Sequence, residues 1–234
     1  MNRIAIVSAM QEELSAVLAL MQRQQKQTIA GRDFWQGLLH GREVVVVLSR
    51  IGKVAAAATA TILIERFGVK NLVFTGVAGG LHPSVQVGDV VVATGFLQHD
   101  MDASPLFPRF EVPLTGVSCF AADAALSEQL ANAVSRSLPS VRLHRGLTIS
   151  GDRFVSTTAE SHALQVALPD ALAVEMEGAA IAQVCADYGV AFAAVRTISD
   201  RADDAAHGDF LEFIKTTASP YSAAIVAALL SQVT

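Results

Sequence analysis

Apolar residues along this chain come in blocks. Continuous apolar runs at Arg3–Ala9, Glu43–Leu48, Asn71–Thr75, Asp89–Leu97, Leu172–Glu175 and Phe192–Ile198 predict strands buried on both faces. Gly146–Ser150 predicts a further strand. Between the runs, apolar residues fall at helical spacing. Gln11–Gln25, with Leu14, Val17, Leu18 and Met21, predicts a first helix, followed by Lys53–Phe67, Ala122–Leu138, Ala159–Leu168 and Gly178–Tyr188. Gly68 is the expected left-handed residue after the second helix, and Pro169 stops the fourth. Ile29–Leu38 and Glu43–Leu48 read as a hairpin through His40-Gly41-Arg42. Phe210–Ser231 predicts a long C-terminal helix or helix pair. Strands alternating with helices, one early hairpin and no linker predict an α/β domain spanning residues 1–234. Its mixed sheet would be covered on both faces.

Acids stand where three apolar runs end: Glu12 and Glu13 after the first, Glu175 and Glu177 around Met176, and Asp200 after Ser199. Ligands of open α/β sheets sit beyond the carboxyl ends of the strands, so these acids are expected to meet in one crevice. One such cluster alone reads rather as helix-starting acids, and it is the three together that point to a site. Gly76-Val77-Ala78-Gly79-Gly80 follows a strand and reads as a turn where backbone can approach a ligand. It is neither a P-loop nor a dinucleotide fingerprint. Ser150-Gly151-Asp152-Arg153-Phe154 is a second polar loop, in which Phe154 can stack on a flat ring.

Composition narrows the class. Of 234 residues, 52% are hydrophobic and 17% charged, which excludes disorder. A net charge of −5 without a basic run argues against nucleic acid. The longest apolar stretch, near Ala55–Ile64, is too short to span a bilayer, and Glu12 and Glu13 come too early for a signal peptide. A cytoplasmic protein is expected, and its high apolar content suggests a homo-oligomer. Cys119 and Cys185 match no metal spacing, nor do the six histidines.

Several motifs together resemble the nucleoside phosphorylase and hydrolase superfamily, most closely the 5′-methylthioadenosine/S-adenosylhomocysteine nucleosidases. They are Ala9-Met10-Gln11-Glu12-Glu13, Ile51-Gly52-Lys53-Val54-Ala55-Ala56, Gly76–Gly80, Val87-Gly88-Asp89, His99-Asp100-Met101-Asp102, Ser150–Phe154, Val174-Glu175-Met176-Glu177 and Arg196–Asp200. They occur in the family's order across nearly the whole chain.

The resemblance implies a three-layer sandwich with a central mixed, mostly parallel twisted sheet. It implies hydrolysis of the N-glycosidic bond of an adenine nucleoside through an oxocarbenium-like transition state. No cofactor and no metal are expected. Asp200 would protonate purine N7, with Asp203 and Asp204 raising its proton affinity and Arg196 and Arg201 opposing them. Glu13 would activate water, and Glu177 would hold the ribose hydroxyls. Phe154, Val155, Ala78 and Gly79 would contact the purine. Met10, Ile51, Met176 and Phe210 would line the sugar and 5′-thio side, with Val77, Glu175, Arg196 and Ser199 close by. Met101, Leu106, Phe107 and Pro113 would reach the partner subunit's pocket in a homodimer. Val77 departs from a common serine, Gln11 from a common glutamate, and Pro105–Phe110 in composition. A phosphorylase, a futalosine-type hydrolase and a non-catalytic nucleoside sensor are the competing expectations.

Overall fold

A computed structural model describes residues 3–203 and 210–231. The strands are β1 (Ile4–Ser8), β2 (Gln22–Ile29), β3 (Arg32–Leu39), β4 (Arg42–Leu48), β5 (Asn71–Gly80), β6 (Val90–Gln98), β7 (Cys119–Ala121), β8 (Leu143–Ser150), β9 (Ala171–Glu175) and β10 (Ala191–Asp200). The α-helices are α1 (Gln11–Leu18), α2 (Lys53–Phe67), α3 (Ala124–Ser137), α4 (Thr158–Ala167), α5 (Gly178–Tyr188), α6 (Phe210–Phe213) and α7 (Ser219–Leu230). A π-helical turn, Ile214–Ala218, links the last two.

All ten strands join one mixed sheet. Five of them close on themselves: β5 pairs with β10, β10 with β6, β6 with β8, β8 with β9, and β9 returns to β5. From β5 an open arm extends through β1, β4, β3 and β2. The apolar runs explain the layering, because a strand apolar on both faces must be covered on both. One face packs Ala56, Leu63 and Phe67 of α2 with Ile181 and Cys185 of α5. The other packs Leu14 and Val17 of α1, Leu130 and Val134 of α3, and Ile225 and Leu229 of α7. Gly68 takes the left-handed conformation expected after α2.

Three expectations change. The helix expected over Gln11–Gln25 ends at Leu18, and Gln22 opens β2. Met21 is buried against Gly37, where a Cβ would stand 2.9 Å from the Met21 methyl, and so mimicked helical spacing. Ile29 closes β2 rather than opening the next strand. The link between β2 and β3 is Ala30-Gly31, both at positive φ (49° and 69°). His40 and Gly41, at 48° and 77°, repeat this geometry between β3 and β4, as a two-residue hairpin turn demands. The third change concerns Gly76–Gly80, which is no turn: β5 runs straight through it, and none of its three glycines has positive φ.

Candidate active site

The site lies at the carboxyl ends of β1, β5, β9 and β10. After β1 the chain passes Ala9 and Met10 and enters α1, placing Glu13 in its first turn, where the helix dipole favours an acid. Glu13 is 0% exposed, and neither carboxyl oxygen finds a well-formed hydrogen-bond partner among the described residues. Burial pushes its pKa up to about 7, against the pull of the Arg196 guanidinium. Glu12 beside it is half-buried.

Glu175 ends β9, and Glu177 sits at the N-cap of α5. Glu175 is held from all sides. It accepts from Arg196 Nη2 at 2.6 Å, from the Gly178 N–H at 2.9 Å, from the Glu177 N–H at 3.2 Å and from the Ser150 hydroxyl. Glu177 accepts from the Gly52 N–H at 2.8 Å. Burial and then the Glu175 charge push the Glu177 pKa up to about 7.

Arg196 is 1% exposed in the middle of β10. Its guanidinium lies over the Phe74 ring, 3.6 Å from the centroid. Gly76 is its register partner on β5, and a Cβ there would stand 2.5 Å from Arg196 Nη1. Asp200 ends β10 across from Gly79, where a Cβ would meet Asp200 Oδ1 at 3.0 Å. Asp200 accepts from the Ala202 N–H at 2.7 Å and from the Ser199 hydroxyl at 2.8 Å. The glycines thus make room for charged side chains on the neighbouring strand.

A cleft of about 170 Å³ opens between these strand ends. Glu175, Glu177, Ser199 and Asp200 form its polar wall. Val77, Ala78 and Gly79 of β5 form its floor, with Phe154 and Val155 on one side and Met10, Ile51 and Met176 also on its surface. Glu13 and Arg196 are not on the cleft surface; both lie buried behind it. The Phe210 side chain and Asp204 lie outside the described residues. Arg201 does not face Asp200 as expected but donates to the carbonyls of His82 and Val85. Met101, Leu106, Phe107 and Pro113 do not line this cleft.

Arg153 also lines the cleft and pairs with Glu160; its place in the Ser150–Phe154 motif was the available signal. Gly52 stood in the Ile51–Ala56 motif, but only the fold brings its amide to Glu177. Among the described residues, no three His, Cys, Asp or Glu side chains are grouped to hold a metal ion, and no helix is long and apolar enough to cross a membrane.

The model of the phosphorylase superfamily matches residues 3–231. The chain is 36% identical to the 5′-methylthioadenosine/S-adenosylhomocysteine nucleosidase of Shewanella denitrificans over 230 residues, covering 98% of this chain and 99% of the relative. The chain belongs to this nucleosidase family of the phosphorylase superfamily. The nucleosidase of a Marinomonas species is 37% identical, covering 93% of this chain and 94% of its own. In structure, the family member resembles the Neisseria meningitidis nucleosidase solved with methylthio-immucillin-A, with a TM-score of 0.94, 34% identity and all of both chains covered. A futalosine hydrolase mutant of Helicobacter pylori is similar too, with a TM-score of 0.92, 31% identity and all of both chains covered.

Proposed function

We propose that the protein is a cytoplasmic homodimeric nucleosidase that hydrolyses 5′-methylthioadenosine and S-adenosylhomocysteine to adenine and the free 5-thio sugar. The observation that carries this reading is Glu13: a fully buried carboxyl without a well-formed hydrogen bond, its pKa near 7, next to a cleft walled by Glu175, Glu177 and Asp200.

Asp200 gives its proton to purine N7 as the bond to the sugar lengthens, so adenine leaves neutral. Glu177 accepts from the ribose 2′- and 3′-hydroxyls and stabilises the positive charge growing on the sugar. Glu13 takes a proton from the attacking water; a base with a pKa near the working pH suits that step. Arg196 holds Glu175 and offsets part of the repulsion between Glu175 and Glu177. Phe154 and Val155 cover the base, while Met10, Ile51 and Met176 line the sugar side.

Water is preferred to phosphate as nucleophile. A phosphate dianion needs free donors, but the cleft wall carries the carboxyls of Glu175, Glu177 and Asp200, its cation Arg153 is paired with Glu160, and Arg196 lies behind the cleft on Glu175. The deciding experiment is product analysis with 5′-methylthioadenosine, with and without phosphate. Adenine and methylthioribose formed equally in both establish hydrolysis. Sugar 1-phosphate formed only with phosphate makes it a phosphorylase, and no adenine in either removes the reading.

Likeness to the Helicobacter pylori futalosine hydrolase supports a second reading, a futalosine-type substrate on the same site. Parallel turnover of futalosine ranks the two. Leu106 and Leu114, 84% and 90% exposed on the segment after β6, support a dimer in which this segment meets the partner's cleft.

A further inference from the structure

We infer that Asp152, with Lys53 and Asp100, is a positioning group for the ribose-binding carboxylate, acting through the backbone of Gly52. This rests on the role proposed for Glu177. Three motifs far apart in sequence meet here, and none of these side chains has a role in the reaction above.

Gly52 is the N-cap of α2 at φ 97°, a conformation that disfavours a side chain, and so it has no side chain to cap the helix. Asp152 supplies the cap from another loop: its Oδ1 accepts from the Lys53 N–H at 2.7 Å. A Cβ on Gly52 would stand 3.1 Å from that oxygen, so carboxylate and turn are in close contact. Asp100 closes the ring. Its Oδ1 accepts from Lys53 Nζ at 2.6 Å, and its Oδ2 accepts from the Asp152 N–H at 2.9 Å. Lys53 Nζ also donates to Gln98 Oε1 at 3.1 Å. Burial would raise the Asp100 pKa, but the Lys53 ammonium and the Asp152 N–H together hold the carboxyl below its usual range.

The turn so fixed delivers one N–H, that of Gly52, to Glu177 Oε1 at 2.8 Å. That bond turns the other carboxyl oxygen and the remaining lone pairs toward the cleft. Asp152 also lies two residues before Phe154, so one carboxylate ties the purine side of the cleft to its sugar side. Without the cap, the turn is free to swing, and Glu177 loses the donor that sets its rotamer.

The test is Asp152→Ala, assayed with 5′-methylthioadenosine and with its 2′-deoxy analogue. A positioning role predicts a roughly tenfold loss in kcat/KM with the ribo substrate, about 1.4 kcal/mol, and a smaller loss with the 2′-deoxy substrate, which keeps only its 3′-hydroxyl for Glu177. Asp152→Asn keeps an acceptor for Lys53 and recovers most of the loss. Asp100→Ala, measured in the same way, gives a smaller loss of the same substrate dependence. Equal losses on both substrates mean a general structural role and overturn the inference, as does an unchanged kcat/KM. Failure of the nucleosidase reading is separate: wild-type protein then releases adenine from neither substrate.

Discussion

At the scale of single residues, Glu13 and Glu177 hold the molecule's sharpest conflict between stability and chemistry. Each carboxyl is raised from 4.5 to about 7, first by burial. Such a group keeps its proton longer in the folded state than in the unfolded chain. It therefore costs nothing below pH 4.5 and increasingly destabilises the fold as pH rises through 7. Glu13→Gln is neutral at every pH. Its thermal stability should match wild type near pH 4 and exceed it by up to about 3 kcal/mol at pH 8, read from paired unfolding curves. A pH-independent difference would remove the charge argument. The same variant should lose most turnover, by roughly 10²–10⁴-fold for a missing general base. Asp200→Asn should lose a similar factor while its circular dichroism spectrum stays that of wild type; unchanged turnover would take Asp200 out of its role. The positions of these acids at strand ends were legible in the sequence. Their surroundings were not, because Arg196 meets Glu175 and Gly52 meets Glu177 only through the fold.

Among the elements, β5 was the one misjudged in an informative way. Glycines after an apolar run read as a turn, yet here they stay in the strand and leave space for Arg196 and Asp200 on β10. A sequence lists a missing side chain without saying which neighbour needs its room. Gly76→Ala should cost about 1–3 kcal/mol through overpacking, seen as a fall in Tm of several degrees, together with disruption of the Arg196–Glu175 pair. An Arg196 that shifts without loss of stability would refute this account. Gly79→Ala meets Asp200 less severely and should lower kcat more than Tm. The hairpin of β3 and β4 was legible because turn chemistry and apolar runs agreed. β2 was not, because Gln22–Ile29 is almost wholly exposed and carries no alternation to read. Its polar, charged sequence suits an edge strand that must resist pairing with other chains.

For the molecule as a whole, the layered α/β plan could be read from the alternation of strand and helix patterns, but the closure of five strands could not. Closure depends on β5 meeting β10 across more than half the chain, and no local pattern records that. The proposed dimer makes a prediction at this scale. Leu106→Asp should shift the protein toward monomer in size-exclusion chromatography with light scattering, and should lower kcat/KM more than Tm. Retention of a fully active dimer would detach this segment from the interface.

The pairing of β5 with β10 also polices itself. Arg196 fits against Gly76, and Asp200 against Gly79. A slide of two residues would set the guanidinium against Phe74 or Ala78, and a slide of one would set it against Thr75 or Val77. A slip of one or two residues therefore drives a long cation into a side chain, where the native alignment offers it a gap. Gly76 thus disfavours slips of one or two residues between these strands. A chain that zips these two strands in register has, in the same event, set Arg196 and Asp200 in their places.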